Sequence, residues 1–155
     1  MAAKEKGLED LFLNTLKDIY YAEKQILRAL PKMAKAAESE ELRQAFQTHR
    51  DETEGQIERL EQVFEAIGKR AQGKTCEAIQ GIIEEGKEIM EDFADSDALD
   101  AGLIAAGQAV EHYEISRYGT LRTWAQELGM QDAADLLEQT RDPQILRTYL
   151  EITHA

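Results

Sequence analysis

Glu23, His49, Glu52, Thr53, Gln56, Glu111 and Glu114 are polar or ionisable residues at positions where the surrounding helical repeat calls for apolar side chains. Each residue advances a helix by about 100°. Leu16, Ile19, Ile26, Leu27 and Leu30 then all fall within about 60° of Glu23, which places this carboxylate at the middle of an apolar stripe. Between Phe46 and Leu60 the inward positions are His49, Glu52, Thr53 and Gln56, so a whole stretch of a second stripe is polar. Between Gly107 and Tyr118 the inward positions pass through Val110, Glu111 and Glu114, and the two glutamates share a face at a spacing of three. His112 points well away from them.

Burying one ionised carboxylate costs several kcal/mol even after relaxation, and carboxylates on facing stripes repel one another as well. Protons, basic partners, water or a metal must compensate. The Lys and Arg residues fall mostly on outer faces, which leaves a divalent cation or a cation pair as the economical answer. Carboxylates with one imidazole suit iron, manganese or zinc better than calcium. Helical bundles build di-iron and di-manganese sites from such inward Glu and His residues.

Each residue also has a simpler reading. A lone Glu on a stripe commonly reaches water at the rim, and a lone His is commonly a hydrogen-bonded core residue. Thr53 and Gln56 read as supporting polar groups. The coincidence on three helices is what points to a site. Tyr20, Tyr21, Tyr113 and Tyr118 flank it as core or supporting groups, whereas Glu84-Glu85 and Glu91-Asp92 read as solvated faces. The chain has no Gly-rich phosphate loop, Cys-x-x-Cys pair or nucleophile–His–Asp arrangement.

The elements that must position these residues are helical throughout. A first helix is expected over about 7–38, with Leu8, Phe12, Leu16, Ile19, Ile26, Leu27, Leu30 and Met33 inward and a bend at Pro31. Ser39 caps a second helix over about 40–68, which Gly68 ends. A loop leads to a shorter helix over about 77–93. A fourth helix runs over about 98–128, where Ala105, Ala106 and Gly107 let a neighbour approach closely, and Gly129 stops it. A fifth begins near Gln131 and fails before Pro143, and 144–155 is either a short helix or a frayed tail. The fold class is therefore all-α, a four-helix bundle with an additional short helix in the crossover. It forms one domain over 1–155, with a core over about 7–140.

Bulk properties agree. A chain of 155 residues buries about two-thirds of its unfolded surface and needs no disulfide or metal merely to fold. Net charge is −13 and uneven: residues 1–70 hold 12 basic and 14 acidic residues, net −2, and residues 71–155 hold 6 and 17, net −11. Such a surface repels phosphate backbones, so nucleic acid is not an expected partner. Cys76 is the sole cysteine, which excludes an intrachain disulfide and agrees with a reducing compartment. No signal core or membrane span is evident, and a cytoplasmic location is expected.

The segments Asp18-Ile-Tyr-Tyr-Ala-Glu-Lys-Gln25, His49-Arg-Asp-Glu-Thr53 with Gln56, Arg59 and Leu60, and Glu111-His-Tyr-Glu114 followed by Tyr118-Gly-Thr-Leu121 resemble the YciF-type family of ferritin-like bacterial proteins. The resemblance covers about residues 7–140. It implies a ferritin-like bundle, a link to stress responses, a homodimer, and a carboxylate-bridged site for iron or manganese. Position by position it carries over Glu23, His49, Glu52, Glu111 and Glu114 as metal ligands; if metal binds, Glu52 and Glu114 are the bridging candidates and Glu23 and Glu111 the terminal ones. The resemblance assigns no reaction; the chemistry expected of such a site is oxygen or peroxide handling, or metal buffering. The alternative is a non-enzymatic structural homodimer with a metal-free polar cluster. The chain departs from the usual di-iron pattern of Glu-x-x-His on two helices: the second helix reads His49-x-x-Glu52 and the fourth Glu111-x-x-Glu114. It also departs at Gln139-Thr-Arg141-Asp142-Pro143, where the family's last helix carries a run of Glu and a later Asp. This leaves Glu138 and Asp142 as substitutes.

Overall fold

A computed structural model describes residues 5–140 and 144–152. Among these, every regular element is an α-helix: α1 Leu8–Ala36, α2 Glu40–Ala66, α3 Glu77–Asp92, α4 Leu99–Glu127, α5 Gln131–Glu138 and α6 Gln144–Ile152. The boundaries follow local chemistry. Ser39 Oγ accepts from the Leu42 N–H and starts α2. Gly68 and Gly129 take positive φ of 70° and 72° just past α2 and α4, a conformation that glycine adopts at no steric cost. Cys76 caps α3 through its sulfur, which accepts from the Ile79 N–H. α1 continues through Pro31 as one helix to Ala36; the proline forgoes a single backbone bond, to Leu27.

Four walls close around the core in the order α1, α2, α5 with α6, and α4, with α4 returning to α1. α4 runs antiparallel to α1. Asp100 at its start accepts from the Glu38 and Ser39 N–H groups just beyond the end of α1, and Trp124 near its end lines one surface cleft with Asn14 near the start of α1. α3 belongs to the crossover between α2 and α4 and lies outside the ring against α1 and α4. Gly102 faces Ile89 and Gly86 faces Ala106, so α3 and α4 also run antiparallel. The crossover is pinned at its start, where the Lys74 N–H donates to the Lys17 carbonyl.

The buried apolar set includes Phe12, Leu16, Ile19, Ile26 and Leu30 of α1, Leu42, Phe46, Leu60, Val63 and Phe64 of α2, and Leu103, Val110, Tyr118 and Leu121 of α4. Each large side chain removed from water contributes roughly 1.5–3 kcal/mol. Leu8, expected inward, is 36% exposed at the first turn of α1. The open choice for the tail resolves to a helix: α6 buries Ile145, Tyr149 and Ile152. The expected break at Pro143 and the candidate Asp142 lie outside the described residues, as does 153–155. No helix among the described residues is long and apolar enough to cross a membrane.

Candidate functional site

Three walls each deliver polar groups to one buried region. α2 carries His49 at 0% exposure, and α4 carries Glu111 at 5% and Glu114 at 3%, one helical turn apart on the inward face. His49 Nε2 lies 2.8 Å from Glu111 Oε1 and 3.0 Å from Glu114 Oε1. One nitrogen therefore meets two carboxylates, and the imidazole and both carboxylates each offer a ligand atom within 4.8 Å of the others.

α1 supplies the next member. Glu23 is fully buried, and its Oε2 accepts from the Tyr118 hydroxyl at 3.0 Å. The Gln56 amide, oriented with its nitrogen toward the carboxylates, donates to Glu23 Oε2 at 2.5 Å and to Glu114 Oε2 at 2.9 Å. Gln56 thus ties the α1 carboxylate to the α4 carboxylate. Glu23 Oε1 is buried with no hydrogen-bond partner.

Electrostatics follow from this geometry. Burial pushes the Glu23 carboxyl well above the ordinary carboxylate range, the Glu114 charge adds to the rise, and a hydrogen bond to Glu114 helps hold the proton. Burial likewise raises Glu114, reinforced by the charges of Glu111 and Glu52. The Tyr118 and Tyr149 hydroxyls are held protonated, first by burial and then by the neighbouring carboxylates. Without a cation, protons offset the charge that the cluster cannot solvate.

The other expected residues are placed as follows. Glu52 is exposed at the rim, with its charge still felt by Glu114 and Tyr149. The Thr53 hydroxyl donates to the His49 carbonyl in its own helix, at 2.7 Å. Of the flanking tyrosines Tyr118 alone touches Glu23; Tyr113 donates to Asp18, Tyr20 to Glu61, and Tyr21 accepts from Gln80. His112 is exposed. Glu138 is exposed and pairs with Arg122 at 2.9 Å, directed out of the cluster.

One member went unnoticed in the sequence. Tyr149 of α6 reaches His49 Nδ1 with its hydroxyl at 2.9 Å and is wholly buried. The spacing of Ile145, Tyr149 and Ile152 marks an apolar face, but nothing in that spacing tells which wall the face meets.

Fold and cluster together define a helical-bundle protein with an imidazole–carboxylate group sealed in its core. The chain belongs to the family described as Domain of unknown function (DUF892), whose model matches residues 7–145. It is 49% identical over 136 residues to Protein YciF of Escherichia coli (strain K12), covering 87% of this chain and 82% of that protein. The crystal structure of the E. coli stress protein YciF superposes with a TM-score of 0.87 at 46% identity, covering 97% of this chain and 94% of that one. YcfI of Rhodopseudomonas palustris, described as a candidate structural protein, gives 0.90 at 43% identity, over 100% and 98%. A protein of Xanthomonas campestris pv. campestris, at 20% identity and a TM-score of 0.69 over 95% and 88%, shares the fold.

Proposed function

We propose that this chain is a ferritin-like stress protein whose buried cluster holds iron or manganese. The observation that carries this reading is the convergence of His49 Nε2 with the Glu111 and Glu114 carboxylates in a water-excluded core. Two further features fit such an ion. Glu23 Oε1 is a buried acceptor with no partner, a state that costs on the order of 1–3 kcal/mol and that a cation relieves. The donor set, one imidazole nitrogen with carboxylate oxygens, matches the preference of divalent iron and manganese. The helix order supports the ferritin-like assignment: the crossover passes through α3, and α2 and α4 stand diagonally across the ring.

His49, Glu111 and Glu114 would hold the ion, and Glu23, tied to Glu114 through Gln56, would offer its open oxygen to it. A bound iron or manganese supplies one-electron chemistry toward oxygen or peroxide. The chain's own residues do the rest. Gln56 and Tyr118 fix the Glu23 carboxylate, and Gln56 also fixes Glu114. The Glu23–Glu114 pair, whose carboxyls are raised by burial, would give up a proton to make room for a cation. Leu60, Phe46 and Val110 belong to the apolar core that keeps bulk water out.

The structural alternative has one observation in its favour: His49, Gln56 and Tyr118 already give the carboxylates hydrogen bonds without an ion. Elemental analysis separates the two. Protein from cells supplemented with iron or manganese is expected to carry the metal in whole-number stoichiometry, and Glu114→Gln is expected to lose it. Trace metal that Glu114→Gln leaves unchanged would establish the structural reading instead.

A further inference from the structure

His49 presents both ring nitrogens to partners. Nε2 is turned to Glu111 and Glu114, so the rotation of the ring is fixed by whatever holds Nδ1. That partner is the Tyr149 hydroxyl, at 2.9 Å. We propose that Tyr149 is the positioning residue for His49, and that α6 completes the site.

The tyrosine is seated by shape as well as by its hydrogen bond. A Cβ at Gly107 of α4 would lie 2.9, 3.0 and 3.2 Å from three atoms of the Tyr149 ring, so the ring occupies a notch that only glycine leaves open. Phe46 of α2 packs against it with ring centroids 5.4 Å apart. Ile145 and Ile152, one turn to either side, are buried and anchor the helix. The ring therefore cannot swing away from His49 unless α6 moves.

A hydroxyl here does what a carboxylate cannot. Histidines that bind metals commonly donate their other N–H to a carboxylate or carbonyl, which only accepts. A hydroxyl both donates and accepts. When Nε2 carries a proton toward Glu111 and Glu114, Nδ1 accepts from Tyr149. With a cation on Nε2 the ring would be in its other neutral tautomer: the single imidazole proton would sit on Nδ1, and that N–H would donate to the same oxygen, whose own hydrogen turns aside. His49 passes between the two states without turning, and no further negative charge joins a cluster already short of compensation.

The cation half of this role rests on the metal reading above; the orienting half does not, and the test separates them. Tyr149→Phe keeps the ring in its notch and removes one oxygen. In the metal-free protein the His49 Nδ1 resonance, followed by nitrogen-15 NMR of the imidazoles, is expected to shift in Tyr149→Phe while the other two histidines stay fixed. Titration with Mn2+, read by loss of the free-ion EPR signal, is expected to show binding weakened by about 10- to 100-fold. Gly107→Ala, which leaves the hydroxyl in place but crowds the ring, is expected to weaken Mn2+ binding in the same direction. A His49 spectrum unchanged in Tyr149→Phe overturns the positioning role. If the parent chain takes up no Mn2+, the metal reading and the cation half fall, and the NMR arm alone decides the orienting half.

Discussion

Glu23 is where the cluster's chemical tension is easiest to measure. It is fully buried, one oxygen lacks a partner, and its carboxyl is held well above the ordinary value of 4.5. The direction fixes the linkage. A carboxyl raised on folding binds its proton more tightly in the folded chain. It therefore contributes stability that is fully present below pH 4.5 and is lost as pH rises toward the folded value. Glu23→Gln mimics the protonated form and removes that loss. In chelator at neutral pH the variant is expected to melt above the parent chain, by about 2–4 °C for each kcal/mol relieved, and the gap is expected to close below pH 4.5. A variant that melts lower at neutral pH would mean that Glu23 is stabilising while ionised. At this scale the stripe geometry read from the sequence placed Glu23, His49, Glu111 and Glu114 inward, where the structure buries them. The same geometry placed Glu52 inward at about 60° from His49, and the structure leaves it exposed.

The helices show how much of the element scale is local. Ser39, Gly68 and Gly129 announce helix ends through chemistry that needs no tertiary information, and the expected boundaries of α1 to α4 lie close to those observed. The docking of α6 was not legible in this way. Its face has three inward residues, and what receives the central one, Tyr149, is a notch on α4 created by the absence of a side chain at Gly107. A missing side chain leaves no periodic signal. Two glycines of the same helix turn this into a measurement. Gly119 has nothing within 4 Å of an added Cβ, whereas Gly107 meets the Tyr149 ring. Replacing a mid-helix glycine by alanine gains about 1 kcal/mol from the backbone alone. Gly119→Ala is therefore expected to stabilise by about that amount in denaturant unfolding, while Gly107→Ala gives no gain or a loss, since it must displace a buried aromatic ring. Equal gains at both sites would show that α6 does not press on α4.

At the scale of the molecule, the acidic excess and the cluster belong to one argument. The segment 71–155 carries a net charge of −11 and includes Glu111 and Glu114, whereas 1–70 carries −2 and includes Glu23 and His49. Closing the ring of helices brings these carboxylates together, so the fold concentrates negative charge inside a surface that is already negative. In the metal-free chain protons offset this, and the raised Glu23 and Glu114 carboxyls mean that stability falls as pH climbs above 4.5. On the metal reading proposed above, a bound cation would reverse the dependence, because ligands must be deprotonated to bind it and binding releases their protons. The stabilisation given by a fixed excess of Mn2+ is therefore expected to widen as pH rises from about 5.5 to about 8. Melting temperatures recorded with Mn2+ and with chelator across that range test it directly. A gap that stays constant with pH would show that Mn2+ binds only at surface carboxylates, which are already ionised throughout the range. A gap that widens in the parent chain but not in Glu23→Gln would identify Glu23 as a source of the released proton and tie the ion to the core.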